Sequence, residues 1–316
     1  MIKFLTLFKE TYKSWDKNDP WAKSAVIAYY ALFSLPSLLM ITLYVTGLFL
    51  GRQAVEGKIT AEIGDVIGPD AAKTIETMIA NAALEDSTII TVILGIAMLV
   101  FGATGVFFQL QKALNNIWSV RAKKNTLWDT IKRRAVSFSL VLVIGFLLLI
   151  SLAISSAIDA FTNYLATFYS EVSSILLTVG NFLISEFFMA ALFASIFTLL
   201  PDITIKWKTA ILGGFITALL FLAGKYILGY YFSQANPASV YGAAGSLVLI
   251  LLWVYYTCLI LFFGAEFTVQ WALHRNIKVG PTSNATLSYE LEIEELREFK
   301  NSIEEKKTKA QQLEGN

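Results

Sequence analysis

The sequence predicts an all-α polytopic membrane protein with six transmembrane helices and both termini in the cytoplasm. Three observations predict it. Of 316 residues, 56% are hydrophobic and only 16% charged, more apolar surface than a water-soluble domain keeps dissolved. The apolar residues gather into six windows, each long enough for the ~20-residue helix that crosses ~30 Å of hydrocarbon, where lipid offers no partner to a free N–H or C=O. Finally, the basic residues fall almost wholly on one set of alternating loops.

The windows run from Ser24 to Leu50, Thr88 to Leu110, Val136 to Ile158, Thr178 to Leu200, Thr209 to Tyr231 and Gly242 to Gln270. On one side of them stand Lys3, Lys9, Lys13, Lys17 and Lys23, then Lys112, Arg121, Lys123, Lys124, Lys132, Arg133 and Arg134. Lys206, Lys208, Arg275, Lys278, Arg297, Lys300, Lys306, Lys307 and Lys309 join them. Of the 25 basic residues, Arg52, Lys58 and Lys73 alone occupy the opposite loops, and Lys225 lies inside a span. The basic side is therefore expected to be cytoplasmic. Trp21, Trp118, Trp128, Trp207 and Trp271 lie near the same boundaries, where indole rings settle in the headgroup layer.

Three segments flank or interrupt the 24–270 transmembrane domain. In residues 1–23, Leu5, Phe8, Tyr12 and Trp15 recur at helical spacing with lysines on other faces, an amphipathic interfacial helix whose plainest role is anchoring. It stops at Asp19-Pro20. The segment lacks the apolar core and small-residue cleavage site of a signal peptide and is read as mature sequence. The outer loop, 52–87, breaks at Gly68-Pro69-Asp70 into two amphipathic stretches and is expected to form a helical hairpin. Residues 271–316 read as a charged, solvated cytoplasmic tail, in which Leu291, Ile293, Leu296, Phe299 and Ile303 give an imperfect helical stripe.

Charges inside a span are costly and face a bundle interior or a watery cavity, so Glu186, Lys225 and Glu266 are the first functional candidates. Glu186 and Lys225 lie in the outer halves of the fourth and fifth spans, ~4–5 Å apart in depth at ~1.5 Å per residue. The short loop between those spans makes them antiparallel neighbours, and an ion pair is geometrically allowed. Either the two charges fix the helices together, with Lys225 free to snorkel outward, or they line an outward-opening polar cavity with Asn181 that binds an anionic headgroup or relays a proton. Glu266, followed one turn later by Gln270, sits near the inner end of the sixth span and is able to pair with the basic second loop. Gln109, Gln111, Asn115 and Asn116 cluster where the second span emerges; amides at this depth bond across helices or coordinate a substrate. Pro36 removes a mid-helix N–H and predicts a kink. Ala210, Gly214 and Ala218 in the fifth span and Gly242 to Ser246 in the sixth predict close helix contact, within one chain or between subunits of an oligomer.

Other chemistries are poorly supplied. The single cysteine, Cys258, and single histidine, His274, allow neither a disulfide framework nor a cysteine–histidine metal cluster. No glycine loop ending in Gly-Lys-Ser or Gly-Lys-Thr is present for a nucleotide. His274 has no identifiable triad partners. No cofactor or metal is implied, and the basic second loop is better explained by anionic lipid than by nucleic acid.

The string Ala28-Tyr-Tyr-Ala-Leu-Phe-Ser-Leu-Pro36, the string Ala113-Leu-Asn-Asn-Ile-Trp118, and the run from Pro201 to Glu266 occur in one order. That run includes Tyr241-Gly-Ala243, Leu252-Trp253-Val-Tyr255 and Gly264-Ala-Glu266. Together they resemble the YihY/BrkB family of bacterial inner-membrane proteins. The resemblance implies a six-helix, multi-pass protein of the bacterial plasma membrane, from a family once labelled ribonuclease BN and associated in some members with serum resistance and virulence. The ribonuclease label is disfavoured, because a soluble metal-dependent enzyme carries that activity and this chain lacks the ligands. Some members have been linked to passage of lipid or lipid-A-like molecules. Tyr29, Pro36, Asn115, Trp118, Tyr241, Gly242, Trp253, Gly264 and Glu266 match the family pattern without assigned roles.

The expected function is that of a transporter or flippase-like protein for a lipid or amphipathic anion, with membrane lipids as its partners. A non-transporting envelope scaffold is the first alternative and a membrane-embedded enzyme the second. A continuous polar path from Glu186 and Lys225 to Gln109, Asn115 and Glu266 would favour transport.

Overall fold

The computed structural model describes residues 4–34, 89–123, 172–235, 245–283, 285–290 and 293. The third span, Pro36, the 52–87 hairpin, Tyr241, Gly242 and the tail beyond residue 293 lie outside these residues. The described part is mostly helical: α1 (Phe4–Lys17), α2 (20–34), α3 (Ile89–Ile117), α4 (Val172–Leu199), α5 (Trp207–Ala235) and α6 (Gly245–His274). Four two- or three-residue strands follow the helix ends: β1 (Val120–Ala122), β2 (Ile203–Thr204), β3 (Gly280–Pro281) and β4 (Ala285–Leu287).

Among the described residues, Phe182–Leu199, Trp207–Phe232 and Leu247–His274 are long and apolar enough to cross a membrane, with mean hydropathies of 2.0, 1.9 and 2.4. These segments belong to helices of 28, 29 and 30 residues, about 42–45 Å at ~1.5 Å per residue. Such helices outreach ~30 Å of hydrocarbon by two or more turns. The surplus at one end of the bundle, the strand end, is where the short strands and polar contacts gather.

Small residues set the packing. A Cβ on Gly214 of α5 would stand 2.5 Å from the Ala190 carbonyl oxygen and 2.7 Å from the Ala194 amide nitrogen of α4, so the two backbones touch there. Ala210 and Ala218, one turn to either side, are buried. The contact predicted from the small-residue spacing is thus made within one chain. The neighbouring stripe of α5 meets α6 in a reciprocal fit. Thr217 packs on Gly264, Thr268 packs on Gly213, and each threonine hydroxyl donates back to the carbonyl four residues earlier, 2.6 Å to Gly213 and 2.7 Å to Gly264. Both hydroxyls are therefore satisfied inside an apolar contact. Phe193, Phe221 and Trp253 then stack edge to face across α4, α5 and α6, with centroids 5.8 and 5.7 Å apart. On the other side, α2 runs against α3 through Ser34 on Gly102 and Tyr30 on Gly105.

The leading helix is more than an interfacial anchor. Leu7, Thr11 and Trp15 form its buried stripe, while Phe8 packs on Phe263 and Phe267 of α6 at 6.0 and 5.6 Å. The Trp15 indole N–H donates to the Leu259 carbonyl at 3.2 Å. The apolar face read from the sequence is thus only half right: Leu5 and Tyr12 remain 85% and 57% exposed, because the docked face is rotated toward Leu7 and Thr11. Asp19, with φ of 49°, ends α1 in the left-handed region. Its Oδ1 accepts from the Ala22 amide at 3.4 Å, so the same residue caps α2, with Pro20 in the favoured first position.

The start of the tail also departs from expectation. It does not run free into solvent: β4 pairs antiparallel with β1 (Arg121 opposite Thr286), and β3 pairs with β2 (Ile203 opposite Pro281). The Thr282 amide adds a bond to the Asp202 carbonyl at 3.0 Å, and the Ser288 amide one to the Ser119 carbonyl at 2.9 Å. The chain leaves α6 through a left-handed Asn276 and an Ile277 amide bonded back to Ala272 at 2.9 Å, the geometry of a helix-ending Schellman turn. That turn aims the segment across the loops that follow α3 and α4.

Candidate functional site

The sequence candidates separate into two places that the fold treats differently. At the strand end, Asn115 of α3 clamps the turn between α4 and α5. Its Nδ2 donates to Asp202 Oδ2 at 2.8 Å, and its Oδ1 accepts from the Asp202 amide at 2.7 Å. One buried side chain thereby satisfies both a charge and a backbone donor of a distant loop. Gln109 and Gln111 stand half-buried on the same helix outside this pair of bonds, and Asn116 is exposed. Trp118 is half-buried, with an enclosed indole nitrogen that has no hydrogen-bond partner among the described residues.

Glu266 is the most deeply placed charge of this end, only 1% exposed. The Asn18 amide donates to its Oε1, the Ser14 hydroxyl bonds the carboxylate as well, and among the described residues its Oε2 has no hydrogen-bond partner. Lys23, whose ammonium donates to the Asn18 carbonyl, sits beside it. Burial pulls the Lys23 pKa below its ordinary value; Asp19 and Glu266 work against that shift and Lys112 adds to it. A narrow crevice lined by Trp15, Asn18, Pro20, Lys23, Ile117, Phe262 and Glu266 marks where the α1–α2 turn wedges between α3 and α6. The described partners of Glu266 therefore come from the leading segment rather than from the second loop. His274, the last residue of α6, bonds the Gln270 carbonyl through Nδ1 at 2.9 Å and places Nε2 3.1 Å from Glu10 of α1.

The second place is the far half of α4 and α5. Glu186 and Lys225 are both half-buried there. Among the described residues they form no direct ion pair; the Lys225 charge acts on Glu186 through space, and the enclosed Glu186 Oε2 has no hydrogen-bond partner. Asn181 lies on α4 five positions before Glu186, and its side chain is outside the described set. Around the two charges the helices are bare: Phe187 is 68% and Tyr226 66% exposed, and Phe182, Leu183 and Ile227 are exposed as well. Among the described residues a Cβ built on Gly180 or Gly229 would meet nothing within 4 Å, and Gly229, one turn from Lys225, leaves room beside that charge.

Between the two places the described interior is apolar, filled by Ala194, Phe197, Ala218, Phe221, Leu261 and Phe262. The remaining motif positions are structural in their contacts. Trp253 closes the three-ring stack, Gly264 receives Thr217, and Tyr29 is exposed beside Tyr30 and Phe33. Sequence reasoning missed the Gly213–Thr217 and Gly264–Thr268 pairs. The signal was present as glycine and threonine four residues apart on two successive spans.

The family described as "Virulence factor BrkB" matches residues 11–286. The chain is 27% identical over 267 residues to a UPF0761 membrane protein of Psychromonas ingrahamii, covering 83% of this chain and 86% of that one. It is 24% identical over 286 residues to another of Mannheimia succiniciproducens, covering 89% and 94%. A relative from Tolumonas auensis is 29% identical over 193 residues, where the match spans 60% of this chain and 61% of that protein. No solved structure matches. With its long apolar helices and a family match across most of its length, the chain is a multi-pass membrane protein that belongs to the BrkB virulence factor family.

Proposed function

We propose that the protein moves a lipid or amphipathic anion between the leaflets of the bacterial plasma membrane, without a nucleotide site of its own. The observation that carries this reading is the Glu186 and Lys225 site: two half-buried opposite charges, without a direct ion pair among the described residues, in the far half of a helical hairpin with exposed apolar side chains. Insertion scales put a charge at a span centre at about 2.5–3.5 kcal/mol of unfavourable free energy, and Glu186 and Lys225, in the outer halves of their spans, carry a part of that cost. Charges kept there without a direct pair are better explained by a solvated or substrate-filled site than by helix adhesion. Because the interior between this site and the strand end is apolar, the headgroup route runs along the lipid-facing side of α4 and α5, with the acyl chains left in the bilayer. The loop charge bias supports reading the strand end as cytoplasmic and Glu186 with Lys225 as belonging to the outer leaflet.

Reconstitution tests the reading. Purified protein in vesicles carrying acyl-labelled phospholipid should raise the rate of transbilayer movement above that of protein-free vesicles. The Glu186→Gln, Lys225→Met double variant should bring it back to the protein-free rate; equal rates with and without protein would overturn transport. The strand end favours one second reading, a non-transporting envelope scaffold, since β3 and β4 hold the start of the tail in place.

A further inference from the structure

We infer that the Glu186 and Lys225 site takes a zwitterionic phospholipid headgroup, with its phosphate at Lys225 and its ammonium at Glu186. Movement of that lipid rests on the transport reading above, whereas its binding does not. The argument begins with charge. A purely anionic headgroup would meet Lys225 and be repelled by Glu186, which acts in the same field. A headgroup with both signs satisfies both side chains and leaves no net charge in a medium of low dielectric.

Helix register gives a matching separation. With Gly214 against Ala190 and Ala194, Glu186 stands level with the stretch of α5 about one turn nearer the strand end than Lys225, so the two charges are offset by ~7 Å along the helix axes at ~1.5 Å per residue. That offset, shortened by the reach of the lysine stem, is the scale of a phosphate and an ammonium joined through two carbons. Space is available as well. Gly229 follows Lys225 by one helical turn, and among the described residues nothing lies within 4 Å of its would-be Cβ. The exposed Leu183, Phe187 and Tyr226 beside the charges supply apolar surface for the acyl chains. This polarity places the ammonium nearer the bilayer centre than the phosphate, the posture of a headgroup that has left the surface and entered the hairpin.

The full chain, reconstituted with acyl-labelled phosphatidylcholine or phosphatidylglycerol, should move phosphatidylcholine at least tenfold faster than phosphatidylglycerol. Glu186→Gln should remove that preference by slowing phosphatidylcholine alone, Lys225→Met should slow both, and Gly229→Phe, which fills the open space without changing charge, should slow phosphatidylcholine. Equal rates for the two lipids, or equal loss of both in Glu186→Gln, would overturn the assignment. A binding arm separates it from transport: the motionally restricted fraction of spin-labelled phosphatidylcholine around the protein should exceed that of phosphatidylglycerol and fall in Glu186→Gln. If no lipid moves but this difference holds, transport fails and the site stands. If the difference is absent, the site fails.

Discussion

The strand end and the far half of α4 and α5 both hold polar side chains against apolar helices, yet they handle them in opposite ways. At the strand end Asn115 binds both the carboxylate and the amide of Asp202, and Glu266 takes Asn18 and Ser14. In the far half, among the described residues, Glu186 forms no direct pair with Lys225, whose charge acts on it through space. The glycines follow this division only in part. Gly213, Gly214 and Gly264 are each filled by a neighbouring helix, and so is Gly224, next to Lys225, by Tyr256 of α6, while among the described residues nothing lies within 4 Å of a Cβ on Gly180 or Gly229. One region uses its polar groups to join elements distant in the chain; the other keeps charge and room uncommitted. Evolutionary retention of the first would be explained by folding alone, and that of the second would not.

The largest test of this contrast is Asn115→Ala. It removes two bonds, one to a carboxylate and one to a backbone donor, and leaves Asp202 without those partners. Bonds to charged groups contribute about 1.5–3 kcal/mol and an abandoned buried donor costs about 1–3, so a loss of about 3 kcal/mol is expected. Thermal unfolding in a fixed detergent should show it as a lowered midpoint, and a wild-type midpoint would remove the clamp from the account. Gly264→Ala comes next. Its Cβ would collide with Thr217 in the α5–α6 contact, and overpacking of this kind costs about 1–3 kcal/mol. The same measurement should place it between Asn115→Ala and wild type.

The far half should answer differently. Glu186→Gln removes a charge that has no direct bond, so its stability should stay within about 1 kcal/mol of wild type while lipid handling is lost. A variant that unfolds as readily as Asn115→Ala would show that Glu186 is a structural residue after all, and the two regions would no longer be distinct.

Particular residues show where the sequence was informative. The apolar windows foretold α3 to α6, because a span must satisfy its backbone within itself and so carries its signal locally. Ala210, Gly214 and Ala218 foretold a close helix contact for the same reason, a four-residue spacing on one face, but not that its partner is α4 of the same chain. Glu266 was recognisable as a charge in a span, but its partner Asn18 is 248 positions away, and no local pattern connects them. Asn115 and Asp202 are separated by 87 positions, with the same result. The face of α1 was misjudged because its apolar arc is wider than the part α6 covers: Leu5 and Tyr12 continue the arc but stay outside the contact. The tail looked solvated because two- and three-residue strands such as β3 and β4 are too short to show a period, and their partners lie in loops with no strand pattern of their own.

The smallest expected effect belongs to Gly180→Ala and Gly229→Ala, and its sign is what matters. In the strand half an added methyl has nowhere to go, as Gly264 illustrates. In the far half it enters open space, so the steric term vanishes and the helix preference of alanine over glycine is left, about 0.8–1 kcal/mol in an exposed helix interior. Both variants should therefore hold or raise the unfolding midpoint. At Gly229 the methyl also begins to occupy the room beside Lys225, so a preserved or raised midpoint with slower phosphatidylcholine movement would separate space kept for packing from space kept for a headgroup. A lowered midpoint at both glycines would mean that the far half is closely packed in the membrane, and the contrast with the strand end would fail at its simplest point.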